Sequence, residues 1–215
     1  NIPVVIGQRE LKSQVVFQKK AEELGSIIHC ADEFKLNSSF FPKDNFQFIN
    51  ERTVRNACFL LNELSFDITQ DEINRGFSNL AKNTGFIGRY QTVSEKPRVI
   101  VDAAHNEAGI ENLIKAISNE RCNKLYVIYG ASNDKDVEKI IAFFPDTSNL
   151  NITCFSNTRS LSFSELVALK TSLSRNVNIF ENISSALKSI QEVVNEDDII
   201  LITGSFFLLS DFFFL

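Results

Sequence analysis

Apolar and polar positions follow two rhythms along the chain. From Val99 onward, short β-branched runs alternate with stretches whose apolar residues recur every three or four positions. Residues 99–101 precede a helical pattern carrying Ile110, Leu113, Ile114 and Ile117, and residues 125–129 precede one with Val137, Ile140, Ile141 and Phe144. Residues 152–155 precede a helix opening at Ser162, where Glu165 completes a capping box. Residues 177–180 precede one opening at Asn182 with Ile183, Leu187 and Ile190, and residues 199–203 precede a Phe-rich tail. Residues 90–93 and 98–101 flank Ser94-Glu95-Lys96-Pro97 and read as a hairpin. Buried β-branched runs between amphipathic helices are the mark of a parallel sheet covered on both faces. The expectation is five parallel strands plus one antiparallel edge strand.

Before that point the rhythm is looser. Residues 3–6 read as a strand ended by Gly7, residues 10–24 as a helix with Phe17, Ala21 and Leu24 on one face, and Gly25 as its C-cap. Residues 26–30 form a second apolar run. Residues 31–49 are irregular, with Phe34, Phe40, Phe41 and Phe46 interrupted by Pro42, and residues 51–64 read as a helix. Thr69, with Glu72 three positions on, opens another helix with Ile73, Phe77 and Leu80 on its apolar face. Lys82-Asn83-Thr84-Gly85 is a turn cluster, which puts a domain boundary between 1–86 and 87–215. The first part reads as the tail of an α/β unit.

Composition narrows the class. The 215 residues carry a formal net charge of −5, so no basic excess exists to displace the counterions of a nucleic acid. Gly and Pro are sparse, at 8 and 4, which leaves little room for long flexible linkers. The chain contains no Met and begins with Asn1, so it is expected to be a segment of a longer or processed polypeptide. No basic leader with an apolar stretch opens it, so a retained signal peptide is not expected. The last ten residues are nearly all apolar but fall short of the roughly 20 that span a bilayer, so a terminal helix packed on the core is expected and a membrane anchor is not. The four cysteines form no CxxC pair, which argues against a thiolate metal site and for a reducing, cytoplasmic setting. Cys58 and Cys154 lie in apolar runs and read as small core residues.

Ligands of open α/β sheets bind at the carboxyl ends of the strands. Those ends carry Asp102-Ala103-Ala104-His105-Asn106, Gly130 through Asp136, Ser156-Asn157-Thr158-Arg159, and Thr203-Gly204-Ser205. Asp102 suits ribose hydroxyls or, equally, the N-cap of the helix near Glu107. His105 suits a phosphate or an adenine, or simply finishes the loop. Gly204-Ser205 offers backbone N–H groups to a carboxylate or phosphate, although an ordinary turn and cap explains its spacing as well. Asp134-Lys135-Asp136 reads as a solvated helix start. The chain contains no GxxxxGK[ST] phosphate loop.

A resemblance carries the reading further. Gly88-Arg89-Tyr90-Gln91, followed by Pro97-Arg98-Val99-Ile100-Val101-Asp102-Ala103-Ala104-His105-Asn106, resembles the folylpolyglutamate synthase/dihydrofolate synthase family of Mur-type ligases, whose pattern is GR(F/W)(E/Q), a hairpin, then a P-R-V-led strand ending in D-x-A-H-N. Ile2-Pro3-Val4-Val5-Ile6-Gly7, Phe46-Gln47-Phe48-Ile49-Asn50, Gly130 through Asp134-Lys135-Asp136, and Thr203-Gly204-Ser205-Phe206-Phe207 are similar to further family elements in the same order. Phe46 replaces the family's Tyr or His, Ala131 its common Met, and the segment around Arg159 is shorter than usual.

The resemblance implies a Rossmann-like C-terminal Mur ligase domain over 87–215, preceded by the end of the central α/β ATPase domain over 1–86. It implies an ATP-dependent ligase that phosphorylates a folate or dihydropteroate carboxylate and joins it to the amine of L-glutamate. Asn50 would face adenine, Arg89 the phosphates and Asp102 the ribose. Arg89 and His105 would be the catalytic pair, with His105, Asn106 and Ser205 on the glutamate side. Closure of the second domain over the first would bring Arg89 to the nucleotide. The phosphate loop and the ligands of Mg2+ would lie upstream of Asn1, in a missing N-terminal region of the same protein, so this segment alone would be inactive and would hold no metal. A cytoplasmic monomer without nucleic-acid or membrane partners is expected. The alternatives are another Mur-type ligase, of muramyl-peptide or cyanophycin type, or a non-catalytic Rossmann-like interaction module.

Overall fold

A computed structural model describes residues 2–8, 11–36, 39–41 and 46–215, without the side chains of Leu11, Lys12 and Phe46. The expected helix start at Glu10, Pro42, and the side chain that replaces the family's Tyr or His at position 46 therefore lie outside the described residues. The chain divides into two compact units, Asn1–Phe86 and Ile87–Leu215.

In the first unit, β1 (Val4–Ile6) and β2 (Ile28–Cys30) pair in parallel around the intervening α1 (Leu11–Leu24). Gly25 ends that helix at φ 62, as its C-cap reading required. After a short 3-10 helix at Ala31–Glu33, the described residues form α2 (Phe46–Glu63), α3 (Gln70–Ser78) and α4 (Leu80–Thr84). The Thr69/Glu72 capping box forms at the start of α3. The cluster at 82–85, expected as a turn, is instead the end of α4. Its backbone is helical through Thr84 and stops at left-handed Gly85, so the polar side chains mark a helix terminus.

The second unit runs β3 (Gln91–Glu95), β4 (Arg98–Asp102), α5 (Glu107–Ser118), β5 (Leu125–Gly130), α6 (Val137–Ile141), β6 (Asn149–Thr153), α7 (Phe163–Ser172), β7 (Asn178–Phe180), α8 (Ile183–Gln191), β8 (Ile199–Thr203) and α9 (Phe206–Phe213). The strand order is β3-β4-β8-β5-β6-β7, five parallel strands with β3 antiparallel at the edge, as the hydrophobic rhythm foretold. Period-two alternation gives each central strand two buried faces. One face joins Ile100, Val127, Tyr129, Ile152 and Leu201 to Ile110, Leu113, Val137, Ile140 and Leu166 of α5, α6 and α7. The other joins Val101, Tyr126, Ile128, Ile200 and Ile202 to Ile183, Ile190, Leu208 and Leu209 of α8 and α9. Each such aliphatic side chain contributes about 2 kcal/mol by leaving water.

β6 sits three residues earlier than its apolar run suggests. Asn149 and Asn151 belong to the strand because Asn151, though buried, donates to Val127 O at 3.1 Å and accepts from Asn178 at 3.0 Å. Cys58 and Cys154 are only half-buried, and Cys30 is the buried cysteine. The tail packs on the core through Leu208 and Leu209, whereas Phe206, Phe207, Phe213, Phe214 and Leu215 stay exposed, and no described helix is long and apolar enough to cross a membrane.

Candidate functional site at the sheet crest

In the second unit the carboxyl ends of β4, β5 and β8 converge, and the loops leaving them are tied to one another. Thr203 donates its hydroxyl to Ala104 O at 3.1 Å, which joins the β8 and β4 ends. Gly204 follows at φ 112. A Cβ there would lie 2.5 Å from Gly130 O and 2.7 Å from the Tyr129 ring, so glycine lets the β8 crest approach β5 this closely. The loops after β5 and β6 are zipped by Asn133 N–H to Arg159 O at 2.8 Å and Leu161 N–H to Ala131 O at 2.9 Å.

Between these loops lies a cavity of about 80 Å³ lined by His105, Ser132, Arg159 and residues 204–207. His105 Nδ1 is 3.0 Å from Ala103 O. A carbonyl only accepts, so Nδ1 carries the proton in that bond and Nε2 is the nitrogen left for chemistry. Ser205 caps α9 by accepting from Phe207 N–H at 3.1 Å, which leaves its own hydroxyl proton to donate. Arg159 is held by Asp134 at 2.8 Å, and Lys135 reaches the same oxygen at 3.1 Å. The hydrogen bond from Lys135, and then that from Arg159, keeps the Asp134 carboxyl below its ordinary pKa. The cavity thus presents an imidazole, a guanidinium and a hydroxyl to a small ligand, a set suited to a carboxylate beside an amine.

The segment ahead of β3 meets this crest. Gly88 has φ 84, and a Cβ on it would lie 2.5 Å from Leu209 Cδ1. Arg89 follows with its guanidinium over the Phe206 ring, 5.3 Å from the centroid, and close enough to Asp102 to favour that carboxylate's charged form. Asp102 itself is 1 % exposed. Its Oδ2 accepts from Tyr90 N–H at 2.8 Å and its Oδ1 from Ala104 N–H at 2.7 Å. Burial pushes its pKa up, opposed by those two donors and by Arg89. Asp102 therefore departs from both sequence readings. Both oxygens are engaged by backbone and the side chain is withdrawn from solvent, which leaves it poorly disposed toward a ribose, and the cap of α5 is Asn106, which accepts from Gly109 N–H at 2.8 Å. Asn106 is exposed, with its oxygen committed to that cap.

In the first unit Asn50 lines a separate, mostly apolar cavity of about 500 Å³ with Gln47, Val54, Ile73, Phe77 and Leu80. Asn50 Nδ2 donates to Gln47 Oε1 at 2.9 Å, so two amides stand together at an apolar wall. A cavity of about 580 Å³ in the second unit is larger than the crest cavity, but its lining of Lys96, Arg98, Glu120 and Asp198 surrounds the amino ends of the strands, away from the crest.

Sequence reasoning brought Arg89, Asp102, His105 and Ser205 to one crest, and the structure gathers them there. It missed Arg159 and Ser132, whose only signal was their place just after strand ends. Among the described residues no group of three or more His, Cys, Asp or Glu side chains could hold a metal ion.

These features define a Mur ligase C-terminal domain. The family model of the Mur ligase glutamate ligase domain matches residues 88–206, more than half of the chain, and the chain belongs to that family. Among curated relatives, the dihydrofolate synthase/folylpolyglutamate synthase of Buchnera aphidicola subsp. Schizaphis graminum is 28% identical over 220 residues, which cover 97% of this chain and 51% of that protein. The Bacillus subtilis protein of the same name is 29% identical over 126 residues, 58% of this chain and 29% of that one. A UDP-N-acetylmuramoyl-L-alanyl-D-glutamate--2,6-diaminopimelate ligase of Leptospira borgpetersenii is 35% identical over 66 residues, 29% of this chain and 13% of that one. E. coli FolC in complex with ADP shares the fold at a TM-score of 0.75 and 20% identity, covering 98% of this chain and 52% of that one. A bifunctional folylpolyglutamate synthase/dihydrofolate synthase with Mn, AMPPNP and L-glutamate bound does so at 0.75 and 21%, covering 97% and 52%. The chain thus spans about half the length of the first of these relatives and of both solved structures.

Proposed function

We propose that this chain is part of an ATP-dependent ligase that joins L-glutamate to the carboxylate of a folate or dihydropteroate. The observation that carries the reading is the crest itself, where Arg89 is held beside a small cavity offering His105, Arg159 and Ser205. In the reaction, the γ-phosphoryl group passes from ATP to the acceptor carboxylate and ADP leaves. The glutamate amine then attacks the acyl carbon, and phosphate departs as the amide forms. Arg89 faces the phosphates, where its delocalised charge opposes the negative charge that builds during transfer. His105 Nε2 takes the proton that the amine must lose. Arg159 and Ser205 hold a glutamate carboxylate, with the Asn106 amide at the rim. Asn50 and Gln47 address the edge of adenine while its faces lie against the apolar wall of their cavity. Asp102 serves the nucleotide side through Arg89. Residues 1–86 are the end of a central ATP-binding domain, and the phosphate loop and the ligands for Mg2+ come from elsewhere in the same polypeptide, without which this chain is inactive. The protein works as a cytoplasmic monomer.

The test is ADP release by the longest natural polypeptide carrying these residues. Glutamate-dependent release with dihydropteroate or tetrahydrofolate is expected. Release only with a UDP-linked peptide would move the protein to the muramyl branch, in keeping with its diaminopimelate-ligase relatives. No release with either would reduce it to an interaction module. Arg89→Ala should lower turnover by about a hundredfold without loss of folding.

A further inference from the structure

The residue after Arg89 is held in an uncommon state. Tyr90 has φ 43, a left-handed backbone that a residue with a large Cβ substituent adopts only under constraint. Two anchors at opposite ends of the residue supply it. The Tyr90 N–H donates to Asp102 Oδ2 at 2.8 Å, and the phenol hydroxyl donates to Glu120 Oε1 at 2.9 Å. Glu120 is fixed in turn by Arg98, which reaches its other oxygen at 3.0 Å. On the far side of Arg89, Gly88 O accepts from Ala103 N–H at 2.9 Å. Arg89 therefore stands between two peptide units clipped to consecutive residues at the end of β4, and its guanidinium projects from that clip over Phe206.

We propose that Tyr90 is a positioning residue, whose phenol, anchored on Glu120, holds the left-handed turn that fixes where Arg89 presents its charge. The proposal rests on the ligase reading above. Without the phenol anchor, residue 90 relaxes toward the extended region, the peptide between 89 and 90 rotates, and the guanidinium leaves its place over Phe206. The loss is then of transition-state contact rather than of substrate binding, so it falls on kcat.

The experiment is a double-mutant cycle in the longest natural polypeptide carrying these residues, read as glutamate-dependent ADP formation. Tyr90→Phe should lower kcat about tenfold, with KM for ATP and for glutamate within about twofold. Glu120→Ala should match it, and Glu120→Gln, which keeps an acceptor, should recover most of that loss. In an Arg89→Ala background, Tyr90→Phe should cost nothing further. An undiminished kcat in Tyr90→Phe, or an equal further loss in the Arg89→Ala background, overturns the proposal. Hydrogen exchange at the Tyr90 amide supplies a readout independent of activity. It should quicken at least about tenfold in Tyr90→Phe while the Val101 and Ile202 amides stay protected, and unchanged exchange at Tyr90 also overturns the proposal. If the unaltered protein forms no glutamate-dependent ADP, the ligase reading falls, and the exchange measurement still decides whether the phenol holds the turn.

Discussion

The two units bury their apolar residues on very different terms. In the second, β4, β5 and β8 are sealed on both faces, and Ile100, Val127, Ile128, Leu201 and Ile202 have no solvent exposure. In the first, a parallel pair of three-residue strands has helices around it, yet Val15, Val16, Phe17, Leu24, Phe59, Leu64 and Phe66 remain exposed. Beside the small buried apolar side chains Ala21, Cys30 and Ala31 and the strand residue Ile6, the first unit buries a polar cluster. Glu51, Arg55 and Asn56 are almost inaccessible, with Arg55 Nε on Glu51 at 2.9 Å, its Nη2 on Asn74 at 3.0 Å, and its guanidinium over the Phe77 and Phe40 rings. Glu51 also accepts from Phe40 N–H at 3.0 Å and from the Ser39 hydroxyl. The second unit has a large apolar area removed from water, whereas in the first a small apolar core is joined by a buried network in which each member depends on the rest.

That contrast fixes how each unit should fail. Glu51→Ala leaves Arg55 buried without its anion and should cost the first unit about 4 kcal/mol. Its amides should exchange freely while those of the second unit stay protected, and equal loss in both units would show that the two are not separable. Gly204→Ala should cost the second unit about 3 kcal/mol through backbone strain and the clash with Gly130 O, read as a fall in its urea midpoint with the first unit unaffected. Ile152→Val should cost about 1 kcal/mol, again in the second unit alone.

Acid should act on Glu51 of the first unit and Asp102 of the second with opposite sign. Burial tends to raise the Glu51 pKa, but Ser39, Arg55 and Phe40 N–H together hold it below 4.5. A depressed folded value means that its stabilising contribution is present above 4.5 and lost as pH falls through the folded value. Asp102 is raised above 3.8 by burial, so its ionisation opposes folding, and its contribution to the second unit improves as pH falls from the folded value toward 3.8. Because Glu72 in the first unit and Asp134, Asp136 and Glu165 in the second are also held low, the two contributions are read by difference: the acid loss of first-unit protection should shrink in Glu51→Gln, and the gain due to Asp102 should vanish in Asp102→Asn.

Much of the second unit was readable in the sequence because its strands are β-branched and its helices carry Ser162, Asn182 and Glu165 where caps are needed. β6 was displaced because a buried Asn151 satisfied by Val127 O looks polar until its partners are known. The crest residues were readable as residues but not as geometry. That Asp102 turns inward onto Tyr90 and Ala104, and that Arg159 comes to the His105 cavity through the zipped β5 and β6 loops, depends on contacts between segments far apart in the chain. The Glu51–Arg55 network gave no signal, since charges four apart on a helix usually face water.

The placement of the tyrosines has an optical consequence. The chain has no Trp and three Tyr, all in the second unit, with Tyr126 in one core, Tyr129 in the other and Tyr90 packed beside the latter. Tyrosine fluorescence therefore samples both sides of the six-stranded sheet and is blind to residues 1–86. A melting curve followed by that emission alone would record a single clean transition even if the first unit had already come apart.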